Sequence, residues 1–254
     1  MTEKTTASEK VTIDTTGIYY RDLNQQLRKL VADGVRKVEL RNVCGQRYIG
    51  TDLGEVMVID VYGTPGNDLG AFMNGPRVTV YGNAQDGCGN TMDSGRIIVH
   101  GHAGDITGLA ARGGEIFIRD SVGYRAGIHM KEYGEKKPLL VIGETAQDFV
   151  AEYMAGGTLI LLGLNLKPGE PHRANFIGTG MHGGIVYLRG EVNDYQLGKE
   201  VGTAELDEAD WTALQKHVGE YADIFERDAK EILDSKFTKL FPRWLRPYGR
   251  LYAY

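Results

Sequence analysis

Short runs of alternating apolar and polar residues recur along this chain about every nineteen residues. The runs close at Gly63, Gly82, Gly101 and Asp120, which lie 19 positions apart, and weaker copies close at Gly143, Gly163 and Gly190. In the six later copies the residues two and four positions before the close are apolar, namely Val78 and Val80, Ile97 and Val99, Ile116 and Ile118, Leu139 and Val141, Leu159 and Leu161, and Val186 and Leu188. Because side chains two positions apart lie on one face of a strand, each pair predicts a short half-buried strand.

Two further sets of residues recur with the same spacing as these strands. Nine residues before a close stand Met73, Met92, Ala111, Met154 and Met181, a pattern that predicts an internal stack of adaptable side chains. Glycine recurs at positions 70, 89, 108 and 127, where it predicts a sharp corner in each coil. A strand, a corner and a second short strand in so few residues leave no room for a βαβ unit. We therefore predict a mostly β fold, a right-handed parallel β-helix with about 19 residues per coil.

Other all-β architectures fit the period less well. A β-propeller blade needs about forty residues. A β-sandwich does not keep equivalent residues in step over six copies. The fixed short period therefore favours the β-helix.

Helical patterns flank the repeat. Leu23, Leu27, Leu30 and Val31 share one face of a predicted helix over 22–32, which would cap the open end of the coils. After residue 202, apolar residues at three- and four-residue steps predict a helix over Glu208–Phe225, and a second helical stretch covers 228–237. We thus divide the chain into a polar lead with a capping helix (1–34), the β-helix (35–202), and C-terminal helices with an aromatic tail (203–254). Insertions at 131–137 and 164–177 lengthen two coils.

One part of the predicted outer face is apolar. In the coils that close at Gly143 and Gly163, the outward positions are Leu140, Ile142, Ile160 and Leu162. An apolar outer face has to be covered. Either the C-terminal helices fold back over it, or a partner subunit does.

The composition argues against several classes of function. The 254 residues carry a formal net charge of −5 and no run of basic residues, which argues against a nucleic-acid surface. No apolar stretch is long enough for a signal peptide or a membrane span, so we expect a cytoplasmic protein that does not bind membranes. The two cysteines, Cys44 and Cys88, lie 44 residues apart at different positions of their coils, so no disulfide is expected. Neither belongs to a CxxC pair, so no iron–sulfur or zinc site built by this chain alone is expected. Both are predicted to be buried thiols.

The histidines are the main candidates for chemistry. His100 and His102 flank Gly101 and could bind a metal, but no acidic or cysteine cluster accompanies them, and a hydrogen-bonded or solvated pair is the better prediction. His129, His172 and His182 could line a groove and are predicted to be corner residues. Neither a phosphate-binding loop nor a GxSxG nucleophile motif occurs. We therefore assign no catalytic, cofactor-binding or metal-binding residue to this chain.

Three glycine-rich segments identify a resemblance. GCGNTMDSGRIIVHGHAGDITGLAARGGEIFIRDSVGYRAGIHM, GGTLILLG and GTGMHGGIVYLRG are similar to the GXGXG β-helix domain at the C-terminal end of the glutamate synthase large subunit. The similarity runs from about Val35 to Val201, and the C-terminal FTKLFP is also similar to that family's ending. The same domain type occurs in the C subunit of formylmethanofuran dehydrogenase.

The resemblance implies a function in a complex. Glutamate synthase also carries a glutaminase domain with an N-terminal cysteine, and an FMN barrel with an iron–sulfur cluster; this chain has neither. It resembles the β-helix domain made as a separate subunit, as in N-methylglutamate synthase. The resemblance thus implies a non-catalytic scaffold of a glutamate-synthase-like oxidoreductase, with a glutaminase-type and an FMN-binding subunit as partners. FMN and the iron–sulfur cluster are then expected on those partners.

Two alternatives remain. One is a scaffold of a formylmethanofuran-dehydrogenase-type complex. The other is a free-standing β-helix enzyme acting on carbohydrate, for which a ladder of outward carboxylates is typical. The outward positions Arg77, Arg96 and Glu115 do not form such a ladder.

Overall fold

The computed structural model describes residues 10–54 and 57–244. Its strands are β1 (Val11–Asp14), β2 (Lys37–Cys44), β3 (Val58–Thr64), β4 (Arg77–Tyr81), β5 (Arg96–Val99), β6 (Glu115–Ile118), β7 (Leu139–Ile142), β8 (Ala155–Leu161), β9 (Gly183–Arg189), β10 (Val201–Ala204) and β11 (Phe237–Pro242). Its α-helices are α1 (Tyr20–Ala32), α2 (Glu208–Phe225) and α3 (Ala229–Leu233), and a 3₁₀ turn spans Asp194–Gln196.

The strands form one sheet in the order β1-β2-β3-β4-β5-β6-β7-β8-β9-β11-β10. From β1 to β9, each strand runs parallel to the next one in the chain, as one strand per coil requires. Arg77 pairs with Arg96, and Arg96 pairs with Glu115, so these two steps are each 19 residues. This confirms the predicted parallel β-helix and its coil length.

The interior of the coils is a single apolar column. The five predicted stack positions are all buried there, and Met57 and Met130 extend the stack. Aliphatic side chains from the inner face of the strands, such as Val78, Ile97 and Ile116, complete the column. The regular repeat of apolar residues thus builds the core directly.

The corners are made by residues in the left-handed backbone region. Gly70, Gly89, Gly108 and Gly127 have φ between +66° and +74°, as the glycine register predicted. Hydrogen bonds to the next coil hold the chain after each corner. Two residues after Gly108, for example, the Ala110 amide donates to the Ile128 carbonyl at 2.8 Å. The predicted second strand is shorter than expected: within the described ranges this side of the coils has isolated bridges, such as Ala103 with Val122.

The N-terminal end of the coils is closed as predicted. Helix α1 begins two residues earlier than expected, and its Leu23 and Leu27 are fully buried against the first coils. Strand β1 was not predicted from the sequence; it adds to the edge of β2. The lead predicted for residues 1–10 lies outside the described residues, except for Lys10.

The C-terminal part contains more strand than expected. Helix α2 has the predicted bounds, whereas the second helical stretch ends at Leu233 and gives way to β11. Strand β11 pairs antiparallel with both β9 and β10. Residues 245–254 of the aromatic tail lie outside the described residues. The proposed domain boundaries at 34 and 202 stay predictions.

One register prediction is wrong. In β7, Leu140 and Ile142 face the interior, while Leu139 and Val141 face outward. Glu115 pairs with Leu139, so this coil has 24 residues. The spacing between the closing residues Asp120 and Gly143 had implied 23. Because strand side chains alternate between faces, a shift of one residue exchanges the two faces.

The cysteines differ from each other. Both thiols are free, but only Cys88 is buried, where burial raises its pKa to about 12. Cys44 is exposed, so the prediction of two buried thiols is wrong for this residue. It ends β2, and its side chain points away from the coil interior.

None of the helices in the described ranges combines the length and the apolar character needed to cross a lipid bilayer.

Candidate functional site

The outer face of the later coils is covered by the C-terminal helices. An outward apolar row runs through five strands: Ile98, Phe117, Val141, Ile160 and Tyr187. These side chains form a second buried cluster with Leu214, Val218, Tyr221 and Phe225 of α2 and with Ile232 and Phe237. Of the two alternatives for the apolar face, the C-terminal helices therefore provide the cover.

Two buried polar contacts fix α2 on this face. The Tyr221 hydroxyl donates to the Arg119 carbonyl at 2.8 Å. Asp210, in the first turn of α2, accepts hydrogen bonds from the Tyr187 hydroxyl at 2.6 Å and from Lys239 Nζ at 2.8 Å. The buried position of Asp210 would raise its pKa, but these hydrogen bonds outweigh burial and hold the pKa below its usual range.

A cleft opens where α3 meets the coils. It has a volume of about 360 Å³ and is lined by Arg119, Arg189 and Arg227 together with Glu144, Asp228 and Glu231. We call it the arginine cleft. The three arginines come from the end of β6, the end of β9 and the segment between α2 and α3. Their convergence gives this concave surface a charge pattern suited to a polar ligand.

A second exposed surface lies at the corners of the middle coils. The rings of Phe149 and Phe176 stack at 5.0 Å, and those of His129 and Tyr153 stack at 5.5 Å. The Arg125 guanidinium lies 5.3 Å from the Phe149 ring centre, and its Nε donates to Glu152 at 3.0 Å. We call Arg125, His129, Phe149, Tyr153 and Phe176 the corner face.

The corner face has the composition of an interaction surface. Tyr153 and Phe176 remain 47% and 52% exposed although each is stacked on one side. Aromatic side chains and arginine are enriched at protein interfaces, where they supply a large contact area with few rotatable bonds. An exposed row of stacked rings is also uncommon on a surface that faces only water.

The histidines that the sequence singled out have different surroundings in the structure. His100 stacks on Tyr81 at 5.1 Å, with its edge against Phe225. His102 lies 3.9 Å from Asp120, and its Nδ1 accepts a hydrogen bond from the Ser121 amide. His182 Nδ1 lies 3.1 Å from the Gly180 carbonyl. Within residues 10–54 and 57–244, no group of three or more His, Cys, Asp or Glu side chains is placed to hold a metal ion.

His172 is the most buried histidine and lies behind the arginine cleft. Its Nε2 is 2.8 Å from the carbonyl of Arg189, so Nε2 carries the proton and Nδ1 is the bare nitrogen. Nδ1 is buried without a hydrogen-bond partner among the described residues. Burial lowers the pKa of His172, because a second proton would be placed on this unpaired nitrogen.

This arrangement predicts a pH-dependent stability. The folded protein resists protonation of His172, whereas the unfolded chain accepts a proton below about pH 6.5. Stability is therefore expected to fall as the pH drops from about 6.5 towards 5, before most carboxylates titrate. Urea unfolding at several pH values should show a smaller loss over this range in His172→Gln than in the wild-type protein. The exposed His129→Gln is the matched control, and an equal slope in all three proteins would contradict the prediction.

Sequence reasoning did not find the cleft or the corner face. Arg119, Arg189 and Arg227 lie in three separate segments, and no motif links them. For the corner face, a periodic signal was present: His129 and Tyr153 occupy equivalent left-handed positions of adjacent coils. An alignment on the buried Met130 and Met154, which directly follow these two residues, would have placed them side by side.

Comparison with known proteins agrees with the fold. The model of the GXGXG motif family matches residues 24–246. The chain is also 45% identical over 253 residues to an uncharacterized protein of Methanocaldococcus jannaschii, with 96% of this chain and 97% of that protein covered. The family match extends beyond the coils, since it includes most of α1 and the C-terminal helices and strands.

Proposed function

The chain belongs to the GXGXG motif family, and from this membership we propose that it is a non-catalytic scaffold subunit of a glutamate-synthase-like oxidoreductase. Its partners in this proposal are a glutaminase-type amidotransferase subunit and an FMN-binding subunit, assembled in the cytoplasm. The substrate of the complex would be a 2-oxo acid or an amine, as in glutamate or N-methylglutamate synthesis.

The corner face is the observation that carries a scaffold role. It presents stacked aromatic rings across three coils on a rigid support, because every coil is hydrogen-bonded to the next. A β-helix changes shape little when a partner docks on its side, so the ordering cost of binding is small. The outer apolar row is already covered by α2, whereas the rings of Tyr153 and Phe176 in the corner face remain exposed.

The cysteines of this chain are the reason for assigning the iron–sulfur cluster to a partner. An iron–sulfur cluster is held by four cysteine thiolates in most proteins, and this chain has two cysteines in all. Cys88 is fully buried with a raised pKa, whereas metal ligation needs a thiolate. The residues of this chain therefore do not fit a cluster.

Affinity purification from the native host tests the proposal. We expect a tagged chain to bring down two further proteins, one with glutaminase activity and one with a flavin spectrum. The chain purified alone should be colourless and without glutaminase activity. Stoichiometric flavin on the isolated chain would overturn the proposal, and co-purification of a molybdenum or tungsten protein would favour a formylmethanofuran-dehydrogenase-type complex instead.

A variant of the corner face sharpens this test. Phe176→Ser removes one ring of the Phe149–Phe176 stack and is expected to weaken capture of the partners at least tenfold, as truncation of a central aromatic residue does in other interfaces. Tyr19→Ser, which changes a ring of similar exposure beside α1, is the matched control. Unchanged capture by Phe176→Ser would mean that partners do not dock on the corner face.

A further inference from the structure

Arg189 is a half-buried cation that forms no ion pair at contact distance with the described residues, although the Glu231 carboxylate acts on it from farther away. Its Nε donates to the Ile232 carbonyl at 2.9 Å and its Nη1 to the Leu162 carbonyl at 3.4 Å. No carboxylate of the described residues lies within ion-pair distance of its guanidinium. Burial lowers the pKa of Arg189, yet an arginine stays protonated at neutral pH, so its positive charge persists in the cleft. A desolvated charge of this kind is stabilised when an anion binds it.

Arg227 adds a second unpaired charge. It follows the left-handed residue Glu226 that ends α2, and this turn places it at the cleft. No ion pair or hydrogen bond within the described ranges engages its guanidinium. Arg119, the third arginine, donates hydrogen bonds to the Asp120 carboxylate from Nε at 2.8 Å and from Nη2 at 2.9 Å. It therefore contributes less free charge than the other two.

Two of the three acidic residues of the cleft accept hydrogen bonds from neutral groups, and they keep their negative charge. Asp228 accepts hydrogen bonds from the amides of Lys230 and Glu231 at the start of α3. Glu144 accepts from the Ser121 hydroxyl at 2.8 Å and from the Asn165 amide at 3.3 Å. Glu231 is exposed, and like the other two acidic residues it opposes an incoming anion. The formal charges of the three arginines and the three acidic residues therefore cancel. Among the described residues, however, neither Arg189 nor Arg227 has a carboxylate within ion-pair distance, so their guanidinium donors remain available to a ligand.

From these two guanidinium groups, which line one cleft and form no ion pair among the described residues, we infer that the arginine cleft binds a small oxyanion with two negative charges, a phosphate group or a dicarboxylate, between Arg189 and Arg227. A guanidinium presents a planar fork of N–H donors that matches two oxygens of such a group. The volume of about 360 Å³ admits a ligand of this size with some of its water. The inference does not depend on the proposed scaffold function.

Binding of inorganic phosphate and of succinate to the full chain tests the inference. Each would be titrated by calorimetry and by thermal unfolding, with sodium chloride at matched ionic strength as the reference. At a tenfold excess over Kd, we expect Tm to rise by about 3 °C. Saturable binding of phosphate alone would identify a phosphate group as the ligand, and saturable binding of succinate alone would identify a dicarboxylate; either result supports the inference. If neither ligand stabilises the protein more than chloride does, the inference is wrong.

Three substitutions locate the site. Arg227→Gln removes a charge that makes no contact needed for folding and is expected to weaken binding about tenfold, the loss typical of one charged hydrogen bond. Glu231→Gln is expected to tighten binding, because it removes the opposing charge. Arg77→Gln changes an exposed arginine of β4 outside the cleft and should leave Kd unchanged. Binding that is insensitive to both Arg227→Gln and Glu231→Gln would overturn the inference, whether or not an anion binds elsewhere.

Discussion

Replacing Gly143 by alanine is expected to destabilise the protein by about 3 kcal/mol or more, because the added methyl group has no space. A Cβ at this position would lie 1.9 Å from the Tyr221 hydroxyl oxygen and 2.1 Å from the Arg119 carbonyl oxygen. The second atom belongs to the backbone of the preceding coil and cannot rotate away. The substitution therefore has to push α2 off the sheet or separate two coils, and it breaks the hydrogen bond from Tyr221 to Arg119 in either case.

Equilibrium urea unfolding measures this effect. Circular dichroism reports the whole fold, and the fluorescence of Trp211 reports α2, where this residue lies edge-on to Phe237 at 6.1 Å. Gly219→Ala is the matched control: it lies within α2, where a Cβ would meet no atom within 4 Å. Removing a glycine from an open helical position is expected to raise stability by about 0.5–1 kcal/mol. If Gly143→Ala is as stable as the wild-type protein, α2 does not pack on the coils as described.

Replacing Asp210 by alanine is the second change with a large expected effect. Asp210 is buried, and it forms a capping box in which its own amide donates to Asp207 at 2.9 Å while its carboxylate accepts from the Asp207 amide at 3.0 Å. Its loss would leave the Tyr187 hydroxyl and the Lys239 ammonium group without their acceptor. Removing one partner of a buried charged pair costs about 3–5 kcal/mol, and we expect a loss of stability in this range.

The control for Asp210 lies on the same helix. Asp223 is exposed, and Asp223→Ala is expected to change the free energy of unfolding by less than about 0.5 kcal/mol. Asp210→Asn keeps an acceptor for Tyr187 but loses the charge, so it should fall between the two. Equal stabilities for Asp210→Ala and Asp223→Ala would contradict the assigned network.

Acid should weaken the same network. The folded-state pKa of Asp210 is lowered, so its contribution is present above the unfolded-state value of about 4 and is lost as the pH falls through the folded-state pKa. The effect of His172 is expected at higher pH, between about 6.5 and 5. The two groups can therefore be separated by measuring the stability of Asp210→Asn and His172→Gln across both ranges.

Local patterns were sufficient to predict the coils. Strand side chains alternate with a period of two, and each coil repeats the same local contacts, so the positions of Val78, Ile97 and Ile116 follow from the sequence alone. The bounds of α2 follow in the same way from apolar spacing, and the structure adds a capping residue, Asp207, at its start. In β7 the prediction of the inward-facing residues was wrong. The insertion hides the true register there, and every residue of the strand is apolar, so alternation gives no signal.

The remaining features were outside the reach of local patterns. Strands β1, β10 and β11 lie at the two ends of the sheet, outside the repeat that marks the other strands. The corner face depends on stacking between coils whose lengths differ.

By itself, the sequence determined that this protein is a parallel β-helix closed by a helix at its N-terminal end and followed by an amphipathic helix. The tertiary structure alone decided that α2 covers the outer apolar row and that Arg189 and Arg227 meet in a cleft. The physical reason is the range of the interactions. The core of each coil is made of residues whose spacing is fixed by one short period, whereas the cover and the cleft join segments that are distant in the chain, and their meeting depends on how the whole chain packs.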